Sequence, residues 1–131
     1  MQATVIRYCG LPVFVACLAV SLATADDTAT DAGDAFFEQR IRPLLVEHCY
    51  ACHSGRAKKQ KGGLRLDLRS TVRSGGESGP AIVPGRPEQS LLISAVRHES
   101  LKMPPERKLS DRAIADLVHG TQLRAPDPPD G

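Results

Sequence analysis

The residues whose types and spacing can do chemistry form one run, Cys49-Tyr50-Ala51-Cys52-His53. On a helix, positions i, i+3 and i+4 share one face, so the two thiols and the imidazole point the same way. Thiols placed like this can form thioether bonds to the vinyl groups of a haem while the imidazole reaches the iron. The motif therefore predicts one covalently attached haem c, held through Cys49 and Cys52, with His53 as an iron ligand.

Three alternatives to haem stay open for this motif: a redox-active cysteine pair, a structural zinc site and chance. A redox pair is expected in a βαβ setting, whereas this motif follows a helical pattern and precedes a loop rich in glycine and lysine. Zinc needs four ligands, so His48, His98 or His119 would have to complete a site that the two thiols begin. Haem attachment needs no residue beyond the motif, and it is the interpretation we prefer.

The first 25 residues predict an export signal. Arg7 gives a positive start, residues 11–22 are apolar, and Ala23-Thr24-Ala25 offers a small-residue cleavage site. The apolar run is shorter than the ~20 residues that span a bilayer, so an uncleaved anchor is the minor alternative, and a lipoprotein modified at Cys17 is weaker still. Cleavage removes Cys9 and Cys17 and leaves only the cysteines of the motif. We predict a periplasmic or otherwise exported protein with no stable membrane insertion after cleavage.

The composition limits what the mature chain can be. The full sequence has 131 residues, a net charge of +2 and only 4% aromatic residues, with no Trp. That length allows one domain with one small core. A core so poor in aromatic rings is easier to explain if a large flat cofactor occupies its centre. Nucleic acid is disfavoured as a partner because export is predicted and no aromatic residues are interleaved with the basic ones.

About three helices are predicted to position the motif. After a mobile linker at residues 26–33, Asp34 caps the first helix, and Pro43 predicts a kink or restart near Arg42 because it breaks the hydrogen-bond ladder. Pro87 opens the second helix and Ser110 caps the third. The predicted apolar faces are Phe37, Ile41, Leu44 and Leu45 in the first helix, Leu91, Leu92, Ala95 and Val96 in the second, and Ile114, Leu117 and Val118 in the third.

The segments between and after these helices are predicted to be loops. Residues 54–86 contain nine glycines and prolines, which excludes a long helix there. Within them the leucines at 64, 66 and 68 alternate with polar residues, so at most a short strand-like stretch is expected. The predicted domain organisation is a signal peptide at 1–25, a linker at 26–33, a haem domain at 34–125 and a disordered tail at 126–131.

Several further segments carry a resemblance to a known family. They are Phe37-Glu38-Gln39-Arg40-Ile41-Arg42-Pro43-Leu44-Leu45, Gly62-Gly63-Leu64-Arg65-Leu66-Asp67, Ser78-Gly79-Pro80-Ala81-Ile82-Val83-Pro84-Gly85, Ser90-Leu91-Leu92 and Lys102-Met103-Pro104-Pro105. Together with the haem motif they make residues 36–128 resemble the planctomycete-type cytochrome c domain. The resemblance implies a compact, mainly helical cytochrome c fold, haem binding and electron transfer. In relatives this module usually begins a longer secreted protein, so a truncated module is an alternative here. Where relatives usually have a Trp, this chain has Gly120, and we expect the last helix to pack poorly or to end at His119.

Met103 is the predicted second iron ligand. It is the only Met besides Met1, and Pro104 and Pro105 stiffen its loop. Met/His ligation is an established cytochrome arrangement that raises the reduction potential. The alternatives are that Met103 only fills a gap in the core and that His98 ligates the iron instead. We interpret His48 and His119 as structural or solvent-facing.

The orientation of His53 is also predicted. A ligating His usually donates a hydrogen bond from its other ring nitrogen to a nearby acceptor. The segment Gly79-Pro80-Ala81-Ile82 resembles the Gly-Pro segment whose Pro carbonyl does this in small c-type cytochromes. The resemblance therefore implies that Pro80 supports the haem site, and the alternative is an ordinary turn.

Basic residues follow the motif closely. Residues 56–73 hold seven of them against the single acidic residue Asp67: Arg56, Lys58, Lys59, Lys61, Arg65, Arg69 and Arg73. Such a segment beside the haem edge would attract acidic redox proteins, or it is simply a solvated loop. Taken together, the sequence predicts a mainly α, small cytochrome c-like protein that transfers electrons and is not an enzyme. A haem-based redox or gas sensor and a peroxidase-like haem protein are the alternatives.

Overall fold

The computed structural model describes residues 26–123, and this part of the chain is mainly helical. Its elements are helix α1 (Asp26–Phe36), a π-helical segment (Phe37–Ile41), α2 (Arg42–His48), α3 (Arg69–Ser74), a 3-10 turn (Pro87–Gln89), α4 (Leu91–Val96) and α5 (Asp111–Gln122). Residues 26–123 contain no strand, only an isolated bridge between Gly76 and Gly79. The predicted small, mainly α fold is confirmed. The predicted signal peptide and the tail at 126–131 lie outside the described residues.

The first helix starts earlier than the sequence predicts. Helix α1 begins at Asp26, so it covers the predicted linker at 26–33, and Asp34 lies inside the helix instead of capping it. The prediction of a linker depends on the lack of an apolar period in these residues. A terminal extension needs no apolar face of its own, however, when it continues a helix that is packed further along.

The predicted restart near Arg42 is confirmed. Pro43 has no N–H, and it stands in the first turn of α2, directly after the π-helical segment. Just before it the helix widens into one π-helical stretch, in which the Arg42 amide donates to the Phe37 carbonyl five residues back. The proline thus marks the junction between two helical segments on the way to the cysteine motif.

A single core joins the helices. The apolar residues that form this buried core are Phe37, Ile41, Leu45, Leu66, Val72, Ala81, Ile93, Val96, Leu109, Ala113, Ile114 and Leu117. Helix α5 packs against the π-helical segment and against α4. Between α5 and the π-helical segment, Arg40 and Asp116 form an ion pair with an N–O distance of 2.6 Å. The helix that leads into the motif is therefore fixed to the last helix of the domain.

The long loop after the motif differs from its predicted strand-like form. No strand forms over residues 64–68, because the Leu66 amide donates to the carbonyl of His53, at 2.8 Å, and not to a neighbouring strand. Leu66 is buried there, and helix α3, which no sequence pattern predicts, begins directly afterwards at Arg69. The loop is thus tied to the motif by a backbone hydrogen bond.

Helices α4 and α5 largely follow the sequence. Pro87 opens a 3-10 turn, and the α-helix itself starts at Leu91 after the buried Ser90. Ser110 caps α5 as predicted, because its hydroxyl accepts a hydrogen bond from the Ala113 amide at 3.2 Å. The expected end at His119 is wrong, since α5 continues to Gln122. Among the described residues, no helix is long and apolar enough to cross a membrane.

Two contacts explain why α5 does not end at His119. Thr121 is buried, and its hydroxyl donates to the Leu117 carbonyl one turn back. The Thr121 carbonyl accepts a hydrogen bond from the Gly85 amide at 2.8 Å. Gly120, the residue before Thr121, is also buried. The loop before α4 thereby holds the last turn of α5 in place.

Candidate cofactor-binding site

The cysteine motif follows α2 as a helical turn. The amide of Cys52 donates to the Cys49 carbonyl at 3.1 Å, and the amide of His53 donates to the same carbonyl at 2.9 Å. These i to i−3 and i to i−4 bonds keep helical spacing although α2 itself ends at His48. The two thiols and the imidazole are therefore brought to one side, as the spacing predicts.

These three side chains line one cavity of about 260 Å³. Most of its wall is apolar, with contributions from the loop after the motif and from α4. The apolar side chains in the wall are Leu64, Leu66, Ala81, Leu91, Leu92, Ala95, Val96 and Leu101, together with Pro104 and Pro105. An apolar pocket with a few converging polar groups is the usual form of a cofactor site. We call this space the thiol cavity.

The apolar face predicted for the second helix serves the thiol cavity as well as the core. Leu91 and Leu92 are only half-buried in the protein and line the cavity. Ile93, which is only 1% exposed, belongs to the core, although the predicted apolar face of this helix does not include it. Because α4 lies between the core and the cavity, it has apolar residues on both sides, and a single apolar stripe does not describe it.

Met103 also lines the thiol cavity, together with the two cysteines and His53. Its amide donates to the Ala95 carbonyl near the end of α4, at 3.2 Å, so the loop is anchored at the Met itself. On the other side the loop runs to Leu109, which is buried in the core. The thioether and the imidazole, the two predicted iron ligands, therefore face the same space.

The other histidines are placed differently. His98 is not among the residues of the cavity wall; it follows α4 in a left-handed conformation with φ of 63°, and its Nε2 is buried without a hydrogen-bond partner. His119 is exposed and meets the Phe36 ring edge-on at 4.9 Å. The sequence predicts a structural or solvent-facing His48, but this residue lines the thiol cavity beside Cys49. His48 is the last residue of α2 and directly precedes the motif, whose side chains line the same cavity.

The acceptor beside His53 differs from the predicted one. The Nδ1 atom of His53 lies 3.3 Å from the Leu64 carbonyl oxygen. Pro80 is exposed and is not part of the cavity wall, although Gly79 and Ala81 on either side of it are. The Leu64 carbonyl takes this position because the Leu66 amide pairs with the His53 backbone and draws the loop against the motif. No sequence signal identifies Leu64, since any residue supplies a carbonyl.

The environment of the thiols bears on the alternative chemistries. Burial in the apolar cavity raises the pKa of Cys49 to about 11, and the neighbouring Cys52 contributes in the same direction. Cys49 also stands at the C-terminal end of α2, where the helix dipole disfavours a thiolate. Redox-active cysteine pairs instead lower the pKa of a thiol, commonly at a helix N-terminus. The site is therefore poorly suited to thiol–disulfide exchange.

The zinc alternative also lacks support in this part of the chain. A structural zinc ion takes four ligands in a tetrahedral arrangement. Within residues 26–123, no three His, Cys, Asp or Glu side chains are grouped so that they could hold a metal ion. The cysteine pair and His53 thus do not form a closed metal site by themselves.

The shape and chemistry of the thiol cavity fit a haem c. Gly62 and Gly79 are part of its wall, and a Cβ added at either would meet no atom within 4 Å, so backbone borders open space there. A second cavity of about 520 Å³ shares His48 and Pro104 with it. Two thiols, one imidazole and one thioether in apolar surroundings are the groups that covalent haem attachment and iron ligation require.

Comparison with known proteins supports the same chemistry. Residues 49–107 match the family model described as Planctomycete cytochrome C. No curated protein and no solved structure matches the chain. The match supports the resemblance to this family over residues 49–107. The matched segment includes the cysteine motif and Met103, and similarity to this family suggests haem binding and electron transfer as the general role.

Proposed function

We propose that this protein is an exported, single-haem c-type cytochrome that carries electrons and transforms no substrate. Cys49 and Cys52 form the thioether bonds, and His53 and Met103 ligate the iron. The observation that carries the proposal is that all four side chains line one apolar cavity. The family match across residues 49–107 supports the haem and electron-transfer parts of it.

The residues of the chain have separate tasks in this proposal. Bound haem c supplies an iron that alternates between the ferric and ferrous states. Cys49 and Cys52 tether it, which a domain with so small a core needs if it is to retain a large cofactor. His53 is oriented by the Leu64 carbonyl, an arrangement that fixes the ring and raises its basicity as a ligand. The apolar wall excludes water, and the anchored Met103 loop keeps the thioether available with little loss of entropy.

Ligation by both side chains favours an electron carrier over the sensor and peroxidase-like alternatives. A gas sensor or a peroxidase needs an open position at the iron, and Met103 would fill it. His98, the rival ligand, does not line the cavity. Outside the motif, the described part of the cavity wall has few polar side chains. It offers no evident set of catalytic groups for peroxide chemistry.

Export and the nature of the partners complete the proposal. Residues 1–25 have the pattern of a cleavable signal, so the domain would act in the periplasm or outside the cell. Partners are redox proteins with acidic surfaces, attracted by the exposed basic residues Arg56, Lys58 and Lys59 just after the motif. Neither nucleic acid nor stable membrane insertion after signal cleavage forms part of the proposed role.

Carbon monoxide binding tests the proposed function. The mature protein, expressed with a haem-attachment system, is reduced and exposed to carbon monoxide while its absorption spectrum is recorded. A carrier with both ligand positions filled should change little and should cycle between oxidised and reduced forms without loss of haem. Rapid and complete carbon monoxide binding by the wild type would contradict the carrier and favour a sensor or peroxidase-like protein.

A further inference from the structure

The wall of the thiol cavity is unevenly polar. Apart from the motif and its neighbour His48, the polar side chains in the wall are Lys61 and Ser78. Both residues are exposed, so they lie where the cavity meets solvent. Lys61 is the one permanent cation among the lining residues that the structure describes. Three glycines that also line the cavity, Gly62, Gly76 and Gly79, are within two residues of Lys61 or Ser78 in the sequence. The cavity therefore has a cationic margin.

Backbone contacts fix this margin. The Lys61 amide donates to the Cys52 carbonyl at 3.2 Å, which ties the lysine to the haem-attachment turn. The Glu77 amide donates to the Gly62 carbonyl at 2.9 Å, and a Cβ added at Gly76 would lie 2.1 Å from the same oxygen. The two loops that carry Lys61 and Ser78 thus meet backbone to backbone. Their polar side chains belong to one edge of the cavity.

The structure separates Lys61 from the other basic residues after the motif. Arg56, Lys58 and Lys59 form no part of the cavity wall. Arg65 is engaged by Asp67, with the Nε–Oδ1 distance at 3.0 Å. Attraction of a protein partner explains exposed cations anywhere on the surface. It does not explain why one of them lines an otherwise apolar cofactor cavity.

The polarity of a haem is also unevenly distributed, because its two carboxylates lie at one edge of an apolar ring. A carboxylate placed against an apolar wall without a partner is costly, so this edge needs a cation or hydrogen-bond donors. We propose that Lys61 and Ser78 receive a haem carboxylate: the ammonium group pairs with it and the hydroxyl donates a hydrogen bond. The inference rests on the proposed function, and it orients the haem with its carboxylate edge toward the Gly62 and Gly79 loops.

The test compares Lys61→Gln with Lys58→Gln, since Lys58 carries the same charge nearby but does not line the cavity. The reduction potential of each holo-protein is measured from about pH 2 to pH 9, a range that covers an imidazole and a carboxylate whose pKa a cation has lowered. Ionisation of a haem carboxylate stabilises ferric iron, so the potential falls across the carboxylate pKa. A paired cation lowers a carboxylate pKa by about 1–3 units. In Lys61→Gln the fall in potential should therefore move to higher pH by about one unit or more, and Lys61→Arg should restore the wild-type profile.

Other charged groups are controlled in the same experiment. His48 also lines the cavity, with its Nε2 3.6 Å from Glu47, and Glu77 stands exposed on the facing loop. The series is repeated on a His48→Gln background, where the shift caused by Lys61→Gln should persist. Ser78→Ala should move the profile in the same direction by a smaller amount.

Two outcomes are distinguishable. If Lys61→Gln and Lys58→Gln give the same pH profile as the wild type, or if the shift vanishes on the His48→Gln background, Lys61 does not receive the carboxylate and the inference is overturned. Both of those results leave a covalent haem in place. If the wild type carries no covalent haem, it is the proposed function that fails, and this is seen before any variant is compared.

Discussion

In the proposed cytochrome, Met103 determines whether the iron has a free position. Its side chain lines the thiol cavity with His53, and its amide is held by the Ala95 carbonyl. Replacing it with Ala should open the iron, so the reduced variant should bind carbon monoxide completely where the wild type does not. A thioether favours ferrous iron, so Met103→His should lower the reduction potential by a tenth or more of the ~0.8 V range that axial ligands span. Absorption spectra under carbon monoxide and a redox titration measure both effects.

His98 provides the matched control for that prediction. Its Nε2 is buried without a partner, but the side chain is not part of the cavity wall. Iron–Met ligation gives an oxidised c-type cytochrome a weak charge-transfer band in the near infrared. His98→Ala should therefore leave this band and carbon monoxide binding unchanged. If His98→Ala opens the iron and Met103→Ala does not, the ligand is His98 and the assignment of Met103 is wrong.

The cysteine motif can be interpreted from sequence because its chemistry depends on local spacing. A helical turn brings Cys49, Cys52 and His53 to one side whatever surrounds them. The support for His53 cannot be predicted in the same way. The Leu64 carbonyl reaches Nδ1 because the loop is drawn against the motif, and backbone acceptors leave no trace in residue types. The role of Pro80 depends on resemblance alone, and this residue lies outside the cavity wall.

At the scale of elements, the loops beside the cavity depend on close backbone packing. Gly75 has φ of 79°, and a Cβ there would lie 1.7 Å from the Gly79 carbonyl oxygen. Gly63 also has a left-handed φ, of 60°, but its added Cβ would meet only ordinary contacts at 3.7 Å and beyond. Gly63→Ala should therefore lower the free energy of unfolding by about 1 kcal/mol, from backbone strain alone. Gly75→Ala adds a clash with backbone and should lower it by about 3 kcal/mol or more.

Denaturant unfolding of the two holo-proteins measures this difference. Equal losses of stability in Gly63→Ala and Gly75→Ala would contradict the close approach of Gly75 to the Gly79 carbonyl. Because Gly63 does not line the thiol cavity, its variant also reports whether haem loading survives backbone strain in this region.

The elements that can be predicted from the sequence are those fixed by local rules. Pro43 forces a junction wherever it stands, and Ser110 caps α5 with its own hydroxyl. The predictions are wrong where tertiary contacts decide. Helix α1 extends over the predicted linker. The Leu66 amide donates to the His53 carbonyl and not to a neighbouring strand. Helix α5 passes His119 because the Thr121 carbonyl is held by Gly85, far away in the sequence.

For the whole molecule, the placement of charge bears on the proposed attraction of acidic redox proteins. Arg56, Lys58 and Lys59 follow a turn that Ser54 holds through hydrogen bonds to the chain around it. If they steer an acidic redox protein, electron exchange should slow about 10-fold or more between low and physiological salt, because the Debye length falls from about 30 Å at 0.01 M to about 8 Å at 0.15 M. Stopped-flow measurement of the exchange rate at several salt concentrations tests this.

Charge reversal gives the matched comparison. Lys58→Glu should slow exchange at low salt and weaken its salt dependence. Arg112→Glu makes the same change of charge at an exposed position on α5 and should have a smaller effect. An exchange rate that does not depend on salt concentration, or equal effects of Lys58→Glu and Arg112→Glu, would show that the exposed cations serve solubility and do not direct a partner.

The claim on which everything else depends is covalent haem. Expressed with a haem-attachment system, the purified protein should have the mass of the chain from residue 26 onward plus one haem, and acid-acetone extraction should leave the colour on the protein. Cys52→Ala should lose one thioether bond and much of the holo-protein yield. A colourless mature protein, a haem that extracts completely, or a stoichiometric zinc ion in its place would contradict the account.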